Sequence, residues 1–109
     1  MTPRLSTEFW VQAYLTRLRL ADIPAYVLAH GDDTAGAVIV KLNTLDGQAR
    51  AFTRSYDGEG SRIWALLAEG TEAEVDAALA RQRGFDPDLW VIEIESRAGR
   101  TLLEEPGLE

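Results

Sequence analysis

The sequence predicts an α+β domain: a small antiparallel sheet of about five strands, in the order α-β-β-β-β-α-β, with two helices packed on one face. Three observations carry that expectation. Apolar residues recur with a period of about 3.6 in two stretches and close to 2 in the others. Glycine- and aspartate-rich turns as tight as Asp46-Gly47 separate the strand-like runs. A chain of 109 residues, 46% of them hydrophobic, can bury one modest core, so residues 1–109 are expected to form a single domain.

The first helix is expected over residues 7–22. Val11, Tyr14, Leu15 and Leu18 follow the i, i+3, i+4, i+7 spacing of one buried stripe, with Trp10 and Ala21 at its edges. Ser6 or Thr7 caps its start, and Asp22-Ile23-Pro24 ends it, because proline disfavours a helical residue before it. AYVLAH (25–30) is a short strand and HGDDTAG a polar turn. AVIVKLN (37–43) is nearly continuous in β-branched and apolar residues, as a central strand would be. Asp46-Gly47 turns the chain into a returning strand, QARAFTRSY (48–56). DGEG (57–60) then turns it into a fourth, SRIWALLA (61–68).

Thr71 with Glu74 forms a capping box for the second helix, TEAEVDAALARQR. Gly84 is placed to end it in the left-handed conformation, with Phe85 folding back on the last turn. Asp86-Pro87-Asp88 is a turn, and 89–96 is the last strand, at an edge or inserted beside the first. Its alternation puts Trp90, Ile92 and Ile94 on one face and Val91, Glu93 and Glu95 on the other, the latter expected to face solvent or countercharges on neighbouring strands. Residues from about 104 to 109 are expected as a frayed acidic tail.

Composition removes several function classes. With no cysteine, disulfides, thiolate nucleophiles and Cys-based metal sites are excluded. No run approaches the roughly 18 apolar residues of a membrane span, and the first residues lack a signal-peptide pattern, so a cytoplasmic protein without membrane contact is expected. The net charge of −7 is concentrated in residues 55–109, where five basic groups face thirteen acidic ones. That field repels a phosphate backbone and argues against nucleic acid as the partner.

Three constellations are candidates for function. His30, Asp32 and Asp33 place an imidazole near two carboxylates on a glycine-containing loop, donors that suit a small ligand or a divalent metal. Gly-Asp-Asp is equally ordinary turn chemistry, and no second histidine completes a zinc motif. Asp86, Asp88, Glu93 and Glu95 form an acidic cluster that reads as turn residues plus a solvated strand face. Finally, Arg50, Phe52, Arg54 and Tyr56 alternate along one strand, and Arg62 and Trp64 along the next. An exposed aromatic and basic face of this kind marks a protein contact, or a stacking platform for single-stranded nucleic acid. No nucleophile motif, phosphate loop or dinucleotide fingerprint is present, and no cofactor is implied.

EFWVQAYL, IPAYVLAHGDDTAGAVIVKLNTLDG and ARQRGFDPDLWVIEIESRAGRTLL together resemble an uncharacterised alphaproteobacterial family, domain of unknown function 1491. Nearly the whole chain takes part, and the close around Phe85-Asp86-Pro87-Asp88-Leu89-Trp90 is its most specific stretch, with Gly84 between Arg83 and Phe85 a departure from the pattern. The resemblance implies a small cytosolic protein and brings no active site. The expected function is a non-catalytic interaction or accessory module that self-associates or binds a protein partner. A ligand or metal binder built on His30-Asp32-Asp33 is the alternative, and single-stranded nucleic-acid binding on the Phe52/Tyr56/Trp64 face the third reading.

Overall fold

The computed structural model describes residues 6–108. Its elements are α1 (Thr7–Leu20), β1 (Ala25–Ala29), β2 (Val38–Asn43), β3 (Gln48–Tyr56), β4 (Arg62–Thr71), α2 (Glu72–Phe85) and β5 (Trp90–Glu95). Both helix starts are capped as their sequences require. Ser6 accepts from the Phe9 N–H, and Thr71 accepts from the Glu74 N–H at 3.2 Å while its hydroxyl donates to Glu74 Oε1. α1 ends in a Schellman motif. Asp22 takes the left-handed conformation (φ 59°), the Ile23 N–H returns to Leu18 O and the Asp22 N–H to Arg19 O. Buried Ile23 and Leu18 supply the apolar contact that accompanies such a cap.

The five strands form one sheet in the order β1-β5-β2-β3-β4. The β2-β3-β4 meander is antiparallel, and its first turn has Gly47 at φ 87°, where a side chain would be strained. β5 inserts between β1 and β2, antiparallel to β1 and parallel to β2, so the sheet is mixed. Every residue of β2 is buried, as befits a strand covered on both faces.

The helices do not share a face. Trp10, Val11, Tyr14 and Leu18 of α1 pack on Val38, Val40 and Leu42 and on Trp90, Ile92 and Ile94. Val75 and Leu79 of α2 pack on Ile39, Val91, Ala49 and Ala51, the opposite side of the same strands. Of the expectation that Val91, Glu93 and Glu95 face solvent or countercharges, the solvent half fails because α2 covers most of that face, while Glu93 does meet a countercharge, Lys41 of neighbouring β2. The small side chains of Ala49 and Ala51 let the helix approach β3 closely.

Two further expectations change. α2 runs through Gly84 to Phe85, and Asp86, in extended conformation, is the C-cap. Phe85 is exposed instead of folding back. The C-terminal stretch is not frayed over its described residues. Leu102, Leu103 and Leu108 are buried in the α1-side core, while Glu104 and Glu105 face outward. The Tyr14 hydroxyl donates to Thr101 O at 2.8 Å and the Arg17 guanidinium to Pro106 O at 2.7 Å, tying this segment to α1.

Lys41, on the α2 side of β2, is fully buried, yet its ammonium meets three carboxylates: Asp76 at 2.7 Å, Glu93 at 2.8 Å and Glu72 at 3.0 Å. Burial alone would lower its pKa, but the hydrogen bonds it donates to Asp76, Glu93 and Glu72 outweigh it and raise the group above the ordinary lysine value of 10.5. Removing the lysine leaves Glu93, itself largely buried, without its countercharge. Lys41→Met should therefore destabilise the fold by about 3–5 kcal/mol at neutral pH in urea denaturation. Because the folded pKa is raised, the lysine's contribution is complete below 10.5 and lost as pH climbs through the folded value. The wild-type-to-variant gap should stay constant from pH 6 to 9 and narrow in more alkaline solution. Burial, then the charge of Glu104, also raises the Tyr14 phenol, but that group is common to both proteins and cancels in the difference.

Candidate functional site

The aromatic and basic candidates gather at the β3–β4 end of the sheet, on the α1 side. Cross-strand partners point to one face, and the register pairs Phe52 with Leu66, Arg54 with Trp64, and Tyr56 with Arg62. The expected open aromatic surface is only partly open. Phe52 and Trp64 are half-buried against the α1-side core, and Tyr56 is the exposed ring of the three. The Arg54 guanidinium lies 4.7 Å from the Trp64 ring centre and 5.4 Å from that of Trp10, a cation–π bracket. The Leu108 carbonyl accepts from Trp10 Nε1 at 3.3 Å, Arg54 Nη2 at 3.1 Å and Trp64 Nε1 at 3.5 Å. Three donors thus hold the segment that carries Leu108 across this part of the sheet, and Phe52 and Trp64 cannot both serve as free stacking platforms.

Beyond that covered zone, the surface stays open along β4. Among the described residues β4 pairs with β3 alone and forms one edge of the sheet. Ile63, Leu66 and Leu67 are exposed on it, and the run Ile63–Ala68 contains no charge. Arg62 and Glu69 bracket this run. Glu69 also pairs with Arg50 at 3.1 Å across the β3–β4 ladder. A bulge interrupts the β3–β4 register, with Phe52 opposite Leu66 but Ala51 opposite Ala68, so Leu67 is the extra residue. Behind the edge, on the α2 side, Ala68, Val75, Ala77 and Ala78 line a shallow open groove with Glu74 and Arg81 at its rim. Sequence reasoning centred on the arginines and aromatics passed over Ile63, Leu66 and Leu67. The signal available was an uncharged six-residue strand with no proline or lysine to guard an edge.

His30, Asp32 and Asp33 are drawn into a structural turn. His30 Nε2 lies 2.7 Å from Asp33 Oδ1, and both side chains are more than half exposed. The Asp32 carboxylate accepts from the Thr34 and Ala35 N–H groups at 3.1 and 2.8 Å. Its backbone is fastened to the start of β5: the Asp32 N–H donates to Asp88 O at 3.0 Å, and Trp90 Nε1 donates to Asp32 O at 2.8 Å. The His30 ring rests against Trp90, centroids 3.9 Å apart. Asp86 accepts from the Asp88 N–H, so it too is occupied with its own turn. Among the described residues no group of three or more histidine, aspartate or glutamate side chains is arranged to hold a metal, and no helix is long and apolar enough to cross a membrane.

The comparisons with known proteins agree with this fold. The family described as Protein of unknown function (DUF1491) matches residues 5–104. A crystal structure of a DUF1491 family protein from Caulobacter crescentus CB15 is 42% identical, covering 94% of this chain and 98% of that one at a TM-score of 0.84. An NMR structure of a DUF1491 family protein from the same organism, also 42% identical, covers 96% and 97% with a TM-score of 0.80. The solution structure of protein Atu0922 from A. tumefaciens is 32% identical over 86% of this chain and 87% of that one, TM-score 0.71. No curated protein matches.

Two substitutions test these assignments by urea denaturation. At Gly31 an added Cβ would run into the Asp88 carbonyl, so Gly31→Ala should cost about 1–3 kcal/mol or more. Trp64→Ala removes half of the Arg54 bracket and one donor to Leu108. It should cost about 2–3 kcal/mol, less than the loss of a fully buried tryptophan.

Proposed function

The chain belongs to the DUF1491 family, and from that premise we propose that it is a non-catalytic interaction module of the cytoplasm that self-associates through the free edge of β4. One observation carries the reading: a ten-residue edge strand in which the six residues Ile63–Ala68 bear no charge and leave three large apolar side chains in water. Such an edge offers a row of unpaired backbone groups, and a second strand laid along it would satisfy them and cover the apolar side chains together. Arg62, Tyr56 and Arg50 border that edge on the α1 side and supply its polar rim. Phe52, Arg54 and Trp64 stand behind it as support, holding β3 and β4 against the core.

The cysteine-free composition suits a reducing compartment, which is why we place the module in the cytoplasm. The charge of −7 disfavours a polyanion as partner and makes two copies repel at long range, so pairing of copies rests on the locally uncharged run Ile63–Ala68 with Arg62 and Glu69 at its ends.

In sedimentation equilibrium the wild-type chain should show a concentration-dependent dimer. Leu66→Lys should weaken it roughly tenfold or more, about 1.4 kcal/mol, without lowering the melting temperature, since Leu66 is already exposed in the single chain. A wild-type chain that remains strictly monomeric into the millimolar range would sink the proposal.

A further inference from the structure

We infer that β4 pairs with β4 of a second copy, antiparallel about a two-fold axis at Ala65, with Arg62 of each copy opposite Glu69 of the other. The inference rests on the self-association reading above and adds to it a register, and therefore a partner.

Directly opposed residues in an antiparallel pair point to the same face of the sheet. In an unbroken strand, positions 62 and 69 would point to opposite faces and could not meet in a symmetric pair. The bulge removes that obstacle. With Leu67 as the extra residue, Arg62, Trp64, Leu66 and Glu69 lie on the α1 side, while Ile63, Ala65 and Ala68 lie on the α2 side, as their β3 partners show. Leaving out Leu67, the run from Arg62 to Glu69 is centred on Ala65. Laying it antiparallel on itself about that centre sets Ala65 against Ala65, Trp64 against Leu66, Ile63 against Ala68 and Arg62 against Glu69. Every pair keeps to one face, and the two end pairs are of opposite charge.

The α2 side provides an independent fit. Ala68 lines the shallow groove between β4 and α2, together with the small or apolar Val75, Ala77 and Ala78 and the charged Glu69, Glu74 and Arg81. In this register Ile63 of the second copy lies opposite Ala68, at the mouth of that groove. The exposed Ile63 side chain and the alanine-lined hollow are then the two halves of one contact, made twice by the symmetry. On the other side, exposed Leu66 lies against Trp64, whose ring already has Arg54 on it. The opposite edge, β1, also exposes Tyr26, Val27 and Leu28, but it has five residues and no charge of its own, so it lacks the oppositely charged ends that set a register on β4.

The charge register is tested with two single variants. Arg62→Glu sets two acidic groups against each other at both ends of the pair, and Glu69→Arg sets two basic ones. Each should weaken its own dimer at least tenfold. An equimolar mixture of the two should recover dimer, because both end pairs become complementary in the mixed species. Melting temperatures of the separate variants distinguish lost pairing from lost folding.

The centre of symmetry is tested by Ala65→Cys, which introduces the sole thiol of the chain. Under mild oxidation it should form a disulfide-linked dimer at least tenfold faster than Leu66→Cys on the same edge or Val27→Cys on β1. A wild-type dimer in which Leu66→Cys or Val27→Cys cross-links fastest, or in which the charge mixture recovers nothing, overturns the register while self-association stands. A strictly monomeric wild type overturns both.

Discussion

The ammonium of Lys41 is the constraint on which the arrangement of this fold depends. A lysine in the middle of a central strand is costly to bury, by several kcal/mol after relaxation, unless carboxylates come within hydrogen-bond reach. They come from two places. β5 brings Glu93 into direct register with Lys41, and α2 brings Glu72 and Asp76 down from above. A slip of β5 by one residue would turn Glu93 to the α1 side, against apolar Val40 and Leu42 of β2 and the buried stripe of α1, and leave Lys41 facing isoleucine. The cage therefore selects one register for the parallel pair and one face for α2. Its worth lies in that selection more than in net stability, because a well-packed apolar replacement of all partners would hold the strands together as firmly.

Once β5 lies beside β2, the rest of the architecture follows. A chain leaving β4 at one edge must cross the sheet to reach the β1–β2 gap, and α2 is that crossing. The α1 face is then free for α1 and for the segment from Thr101 to Leu108, which closes the larger core. The same crossing staples the His30–Gly36 loop to the start of β5, through Asp88, Trp90 and the backbone of Asp32. A loop whose Asp32 carboxylate holds its own turn, and whose Asp32 N–H and carbonyl hold the start of β5, is a joint of the fold, and its residue types follow from that task.

The local order of the chain was legible because it is written in local chemistry. The α1 stripe, the Thr71–Glu74 box, the Asp46-Gly47 turn and the continuous apolar run of β2 each involve residues close in sequence, and each lies where its spacing predicts. What was not legible depends on distant partners. The alternation of Glu93 and Glu95 reads as a solvated face until Lys41, Glu72 and Asp76 are known to share it, and so the two helices were expected on one side. The Thr101–Leu108 segment looks frayed because Glu104 and Glu105 dominate it. Its anchors are three leucines buried in the α1-side core and a Leu108 carbonyl whose donors lie on α1, β3 and β4. Gly84 resembles a helix stop, yet the helix passes through it and ends at Phe85, with Asp86 accepting the role of C-cap. In the candidate surface, the arginines and aromatics attracted notice by type, while the β4 edge is defined by the charges it lacks.

A symmetric pairing of β4 also bears on why a sheet with two edges would stop growing. An open edge that accepts any strand leads to open-ended assembly, whereas an isologous pair uses the same edge on both copies and leaves none of it over. The remaining edge on each copy would be β1, and β1 is poorly suited to extension. It is half the length of β4, its register breaks at Val27, and the Tyr26 hydroxyl is hydrogen-bonded to Glu95 on the side of the sheet where Glu93 also lies. Length and charged ends separate the two edges: β1 has five residues and no charge to align a partner, whereas β4 has an uncharged run with opposite charges at its two ends.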